Sequence, residues 1–204
     1  MKFSILVFVL FALSGVINGK DSNTEGNQRA LYNFSKQIEI DDNLIELKQG
    51  ELYFQFNLNQ SFETLKSFNS KWIEKYSKSH FIAYLVNMTD SSVYIKTQDG
   101  SLLIIQEALD ENNNWQPIEY WIPSGCGNSY FNPLSLEAGK CVLVPIKKYT
   151  GNYKTQFRLK FNIGKSIIYS DTFEASLDKT QFKKVTDDVN GILYDGPASY
   201  FEYK

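Results

Sequence analysis

The sequence predicts an all-β chain of stacked antiparallel sheets with one short helix. Three observations carry this expectation. Several segments alternate apolar and polar residues with a period of two, the mark of a strand buried on one face. Turn signals separate these segments at short intervals, as in a sandwich or barrel. Aromatic residues make up 15% of the chain, with 15 Phe and 13 Tyr, and such side chains suit a pleated, half-buried surface. A hydrophobic fraction of 43% sets the chain among globular rather than disordered sequences.

The chain opens with an export signal. Lys2 supplies the positive start, Phe3 to Leu13 is an apolar run broken only by Ser4, and small or polar residues follow at Ser14-Gly15 and Asn18-Gly19-Lys20. Cleavage is expected after Gly19, with Ser14 as the other fitting position. The expected organisation is a signal peptide over 1–19, a flexible lead-in over 20–33, a β-sandwich domain over 34–175 and a C-terminal extension over 176–204. Export places the protein outside the cell, in a periplasm or at the cell surface. After the signal no segment reaches the roughly 18 apolar residues of a membrane span, so no transmembrane segment is expected. A net charge of −2 without a basic block gives no footprint for nucleic acid.

Element by element, residues 34–40 suit a first strand, and Asp41-Asp42-Asn43 marks a turn. Residues 51–58 alternate, with Leu52, Phe54, Phe56 and Leu58 on one face. Phe62, Leu65, Phe68, Trp72 and Tyr76 then fall at helical spacing, which predicts a helix within 62–77, capped by Asn59 or Ser61. Strands resume at 81–88 and 93–97. Asp99-Gly100 is a hairpin turn, and 101–109 is apolar on both faces, as in a central strand. Residues 115–122 and 140–146 read as strands, the second preceded by a turn at Gly139. Residues 153–161 alternate most cleanly: Tyr153, Thr155, Phe157, Leu159 and Phe161 on one face, charged or polar residues on the other. Asn162 to Lys165 turns the chain into a strand over 166–174. Beyond 175 the alternation is lost, and the tail is expected to wrap the domain or trail from it.

Four short strings carry a resemblance: Trp115-Gln116-Pro117-Ile118, Leu136-Glu137-Ala138-Gly139-Lys140, Gly151-Asn152-Tyr153-Lys154-Thr155-Gln156-Phe157-Arg158 and Ile168-Tyr169-Ser170-Asp171-Thr172-Phe173. With them, 101–174 resembles the second half of bacterial immunoglobulin-like sandwich domains of secreted proteins. The layout is similar to the small proteinase-inhibitor sandwich of bacilli and to secreted Bacteroidetes proteins of no assigned role. The resemblance implies an antiparallel immunoglobulin-like β-sandwich. It transfers no functional residue, because a sandwich hosts many functions.

Residues able to carry chemistry are few. Cys126 and Cys141 are the only cysteines, and in an exported chain a pair is read first as a disulfide. A loop of this size gives about 3 kcal/mol in the chain-entropy view. Two buried free thiols or a reactive cysteine are the other readings. The single histidine, His80, paired with Cys126 would make a thiol nucleophile only if the two met within hydrogen-bond reach. No G-x-S-x-G is present, and the ligands for a transition-metal site are lacking. Asp110, Asn112 and Asn114 alternate like a calcium loop, but Trp115 stands where that loop needs glycine. Acidic pairs such as Glu107 with Glu119, or Asp187 with Asp188, would suit glycoside cleavage only at a defined separation. Asn33, Asn59 and Asn87 match the glycosylation acceptor.

The candidate recognition element is 115–121. Ideal alternation puts Trp115, Pro117, Glu119 and Trp121 on one face and Gln116, Ile118, Tyr120 and Ile122 on the other. If the latter face packs inward, the two tryptophans stand outward about 20 Å apart. Pro117 favours an edge strand, and exposed tryptophans on an edge suit a sugar or protein contact. The expectation is therefore a secreted, non-enzymatic binding or accessory domain for a protein or carbohydrate partner, using Trp115, Glu119 and Trp121 and no cofactor or metal. The alternatives are a secreted hydrolase using acidic residues or the His80/Cys126 pair, and a structural surface protein.

Overall fold

The computed structural model describes residues 28–65, 70–121, 123–164, 166–183, 186–189 and 192–195. The expected signal peptide, Phe68 and Ile122 lie outside the described residues. In chain order the strands begin with β1 (Gln28–Arg29), β2 (Ile38–Glu39), β3 (Leu52–Asn57), β4 (His80–Asn87), β5 (Val93–Ile95) and β6 (Thr97–Gln98). Next come β7 (Ser101–Leu102), β8 (Ile104–Leu109), β9 (Trp115–Pro117), β10 (Glu119–Tyr120), β11 (Leu134–Leu136) and β12 (Lys140–Lys147). The series ends with β13 (Tyr153–Asn162), β14 (Ile167–Tyr169), β15 (Phe173–Leu177), β16 (Thr186–Val189) and β17 (Ile192–Asp195). One helix, α1 (Ser70–Tyr76), follows a 3-10 turn at Phe62–Thr64. The all-β expectation with one short helix holds.

Two sheets make the body. One has the order β2-β12-β4-β3, and the other runs β14-β13-β8-β9 with β15 also on β13. Both are antiparallel throughout. Their facing sides share a core of Phe54, Leu85, Val142, Val144 and Ile146 from the first sheet and Ile104, Leu159 and Phe161 from the second. Phe54 meets Phe161 edge-on at 5.3 Å, a favoured aromatic geometry. The other side of the first sheet is also covered. Tyr53, Ile82, Tyr84, Val86, Cys141 and Leu143 pack there under Phe62, Leu65 and Tyr76. Cover on both faces is why β4 and β12 read as continuous apolar runs rather than alternating ones.

The helical stripe folds as predicted in part. Ser61 caps the 3-10 turn by accepting from the Glu63 N–H, and the regular helix is confined to Ser70–Tyr76. At the hairpin, Asp99 and Gly100 both take positive φ, 52° and 75°, as a primed two-residue turn requires.

Several boundaries differ from the sequence expectation, and the strands expected over 93–97 and 101–109 are each broken, at Lys96 and Leu103. The first strand shrinks to Ile38–Glu39. The described part of the lead-in is built into the fold: β1 pairs in parallel with β10, and Ala30 and Tyr32 are buried. The strand expected over 166–174 splits into β14 and β15, which share one edge of β13. At the break the Ser170 hydroxyl accepts from the Leu159 N–H at 2.8 Å, standing in for a ladder carbonyl. The strand expected over 115–122 breaks at Ile118. Beyond 175, Leu177 and Phe182 join a third apolar cluster with Ala108, Ile118, Phe157 and Phe173, so the start of the tail wraps the body.

Candidate functional site

The site begins with a proline. Pro145 sits in β12, whose residues pair with β4 along their whole length, Pro145 opposite Ile82. On the other edge of β12, β2 pairs only with Lys140 and Cys141. Ser35 then bridges to Leu143 by accepting its N–H on the hydroxyl at 2.9 Å and donating its own N–H to the carbonyl. Two residues on, the same edge needs another donor, and Pro145 has none. The ladder stops, and a pocket of about 480 Å³ opens there. Arg29, Leu31, Tyr32, Ser79, His80, Glu119, Pro145, Lys147 and Tyr149 line it.

Glu119 forms the floor. The chain leaves β9 at a bend, where the Ile118 N–H donates to the Gln106 carbonyl at 3.0 Å. The bend buries two successive residues, Ile118 and Glu119, against the alternation of a straight strand. Glu119 Oε2 accepts from the Gln106 N–H at 2.8 Å and from the Tyr32 hydroxyl. Oε1 accepts from Gln106 Nε2 at 2.9 Å and from the Tyr149 hydroxyl at 2.7 Å. Four donors on two oxygens saturate the carboxylate in the way a buried charge requires. Burial raises the Glu119 carboxyl above its usual range, and the donors pull the other way. The Tyr32 and Tyr149 phenols are driven well above theirs, first by burial and then by the neighbouring carboxylate.

The opposite wall is cationic. Lys147 Nζ lies 5.3 Å from the centre of the Tyr149 ring. Burial lowers its ammonium, while the attraction of Glu119 opposes the shift. His80 is half-buried, with its ring edge-on to Tyr76 at 4.9 Å and Nδ1 2.9 Å from the Ser79 hydroxyl. Its pKa is lowered to about 4 by burial, then by Lys147, with Lys75 and Lys148 adding to the effect against a bond to the Tyr76 backbone.

Glu119 is thus at a site, but not as an exposed contact. Trp121 is 7% exposed and belongs to the core between the sheets, so the outward row of Trp115, Glu119 and Trp121 does not form. The bend at Ile118 is the cause. Trp115 is half-buried on another face. There the Arg158 guanidinium lies between two rings, 4.3 Å from Trp115 and 4.0 Å from Tyr169. Arg158 also grips Glu107 through Nε at 2.8 Å and Nη2 at 2.7 Å. Because neighbouring residues point to opposite sides of a strand, Glu107 and the Glu119-binding Gln106 face opposite ways. The two carboxylates do not flank a common space.

The expected disulfide is not formed. Cys141 faces the covered outer side of the first sheet with no exposure, while Cys126 lies in an exposed loop, and both are free thiols. Burial pushes the Cys141 thiol up to about 12. His80 looks onto Ser79, Tyr76 and Lys147, and Cys126 does not line its pocket. Asp110 Oδ1 accepts from the Asn112 and Asn114 N–H groups at 2.8 and 2.9 Å, so this loop is closed on itself. Asn87 is buried, with its amide on Ser91 and Leu136 carbonyls; Asn33 and Asn59 are exposed.

Among the described residues no helix is long and apolar enough to cross a membrane. No protein-family model, curated protein or solved structure matches the chain.

Proposed function

We propose that the protein is a secreted, non-enzymatic binding domain, and that the Glu119 pocket receives a group of its carbohydrate or protein partner. One observation carries the reading: the carboxylate of the pocket and its two phenols are already committed to one another. Glu119 spends both oxygens on four donors, which leaves the carboxylate no free lone pair aimed at a substrate proton. Tyr32 and Tyr149 are held rigid by it, and pre-set walls favour binding because little ordering remains to be done. The hydrolase alternatives lose support because Glu107 and Glu119 face apart and Cys126 lies outside the pocket of His80. A purely structural role gives no reason for a half-buried lysine and the lone histidine to share a cavity. Export rests on the signal-like sequence, and the immunoglobulin-like likeness of 101–174 fits a secreted module.

A glycan array and a pull-down from the native secretome test the reading, each run with wild type and with Lys147→Met. Retention by a partner that is lost in the variant is expected. Binding that ignores the variant, or turnover of peptide or glycoside substrates, would overturn it.

A further inference from the structure

We propose that the ligand of the Glu119 pocket is an acidic sugar, with its carboxylate on Lys147 and its hydroxyl groups on Tyr32 and Tyr149. The inference rests on the binding reading above and names the chemistry of the ligand. Lys147 forms no ion pair among the described residues, although it is half-buried on the pocket wall. A half-buried ammonium that has a neighbouring charge but no direct ion pair can take a further anion in contact. Glu119 attracts it through space but makes no direct contact, its oxygens being held by Tyr32, Tyr149 and Gln106. Arg29 lines the same pocket, and Lys75 and Lys148 stand close enough to act on His80. Among the described residues lining the pocket, Arg29 and Lys147 stand against one carboxylate, Glu119.

The hydroxyls separate a sugar from a simple acid. Tyr32 and Tyr149 donate their O–H groups in hydrogen bonds to Glu119. Their remaining lone pairs only accept, and they suit a ligand that donates O–H. An acidic amino-acid side chain brings the carboxylate without those donors. Leu31 and Pro145 add apolar surface to the lining, which suits the C–H face of a sugar ring. The 480 Å³ of space lies within the range of about 300–1,000 Å³ usual for small-molecule sites.

His80 is the only histidine, so its ring C–H signal is a single reporter in the NMR spectrum of the full chain. Its pH midpoint is followed alone and with glucuronate, methyl glucoside or glutamate. Glucuronate is expected to raise the midpoint by about one pH unit, as an anion nearby favours the charged ring, with methyl glucoside and glutamate leaving it in place. Lys147→Met should weaken the glucuronate response at least about tenfold, and Lys147→Arg should restore part of it, as loss and return of a charge-assisted hydrogen bond imply. Arg29→Gln, at an exposed position, guards against a folding defect and should weaken binding by a smaller factor. A response to methyl glucoside alone overturns the acidic ligand and leaves the binding reading standing. An equal response to glutamate overturns the sugar. No response to any of the three overturns the inference, while the binding reading then stands or falls on the array and pull-down.

Discussion

His80 is a residue whose environment sets a pH dependence. Its folded-state pKa of about 4 lies below the ordinary value of 6.5, so between these two values the unfolded chain binds a proton that the folded chain refuses. Stability is then fully present above pH 6.5 and falls as the pH drops toward 4, by on the order of 2 kcal/mol after allowance for solvent screening. The urea midpoint of wild type should fall relative to that of His80→Gln as the pH drops through this range, because only the histidine must be protonated on unfolding. At Glu119, replacement by Ala strands two phenols and the Gln106 donors; a loss of about 3–5 kcal/mol is expected in urea unfolding. The cysteines divide sharply: a thiol reagent should label one sulfur per native chain, Cys126, and reach Cys141 only on denaturation, as mass spectrometry would count. Little of this was legible in sequence. An even cysteine count in an exported chain suggests a bond, but pairing is decided by which strand face each sulfur occupies. Glu119 was singled out for its neighbours, and its true surroundings come from residues distant in the chain.

The strands were largely readable, because burial on one face leaves a period of two. In β13 the Phe157, Leu159 and Phe161 side chains are buried while the intervening residues are not, and the pattern fixes the register. The breaks were not readable. Ser170 and Ile118 interrupt strands by replacing a ladder partner with a hydroxyl or by bending, and neither leaves a mark in hydropathy. Pro145 did leave one: a proline inside an apolar run announces an unpaired edge, and that edge is where the pocket lies. Another element-scale constraint is Gly151, just ahead of β13. A Cβ there would sit 2.1 Å from the Leu177 carbonyl carbon and 2.2 Å from the Asp178 nitrogen. Gly151→Ala should prise the end of β15 from β13 at a cost of about 1–3 kcal/mol. Amide exchange should quicken in Phe173–Leu177 more than in Ile104–Leu109.

For the whole molecule, the core between the sheets is the dominant stabilising element. Phe161 is fully buried and packed on Phe54, so Phe161→Ala should cost about 3–5 kcal/mol and lower the melting temperature by on the order of 10 °C, read by circular dichroism. Sheet-on-sheet architecture was foreseeable from alternation and composition, since both are local signals. The pocket was not, since it exists only where far-separated segments converge. Tyr32 and Glu119 stand 87 positions apart, and the lysine, histidine and second tyrosine come from still other segments. During synthesis the first of these emerges long before the last, and contacts of such long range form late. Until Tyr32 meets Glu119 the cavity lacks its buried carboxylate cluster, so a closed pocket belongs only to molecules that have finished folding.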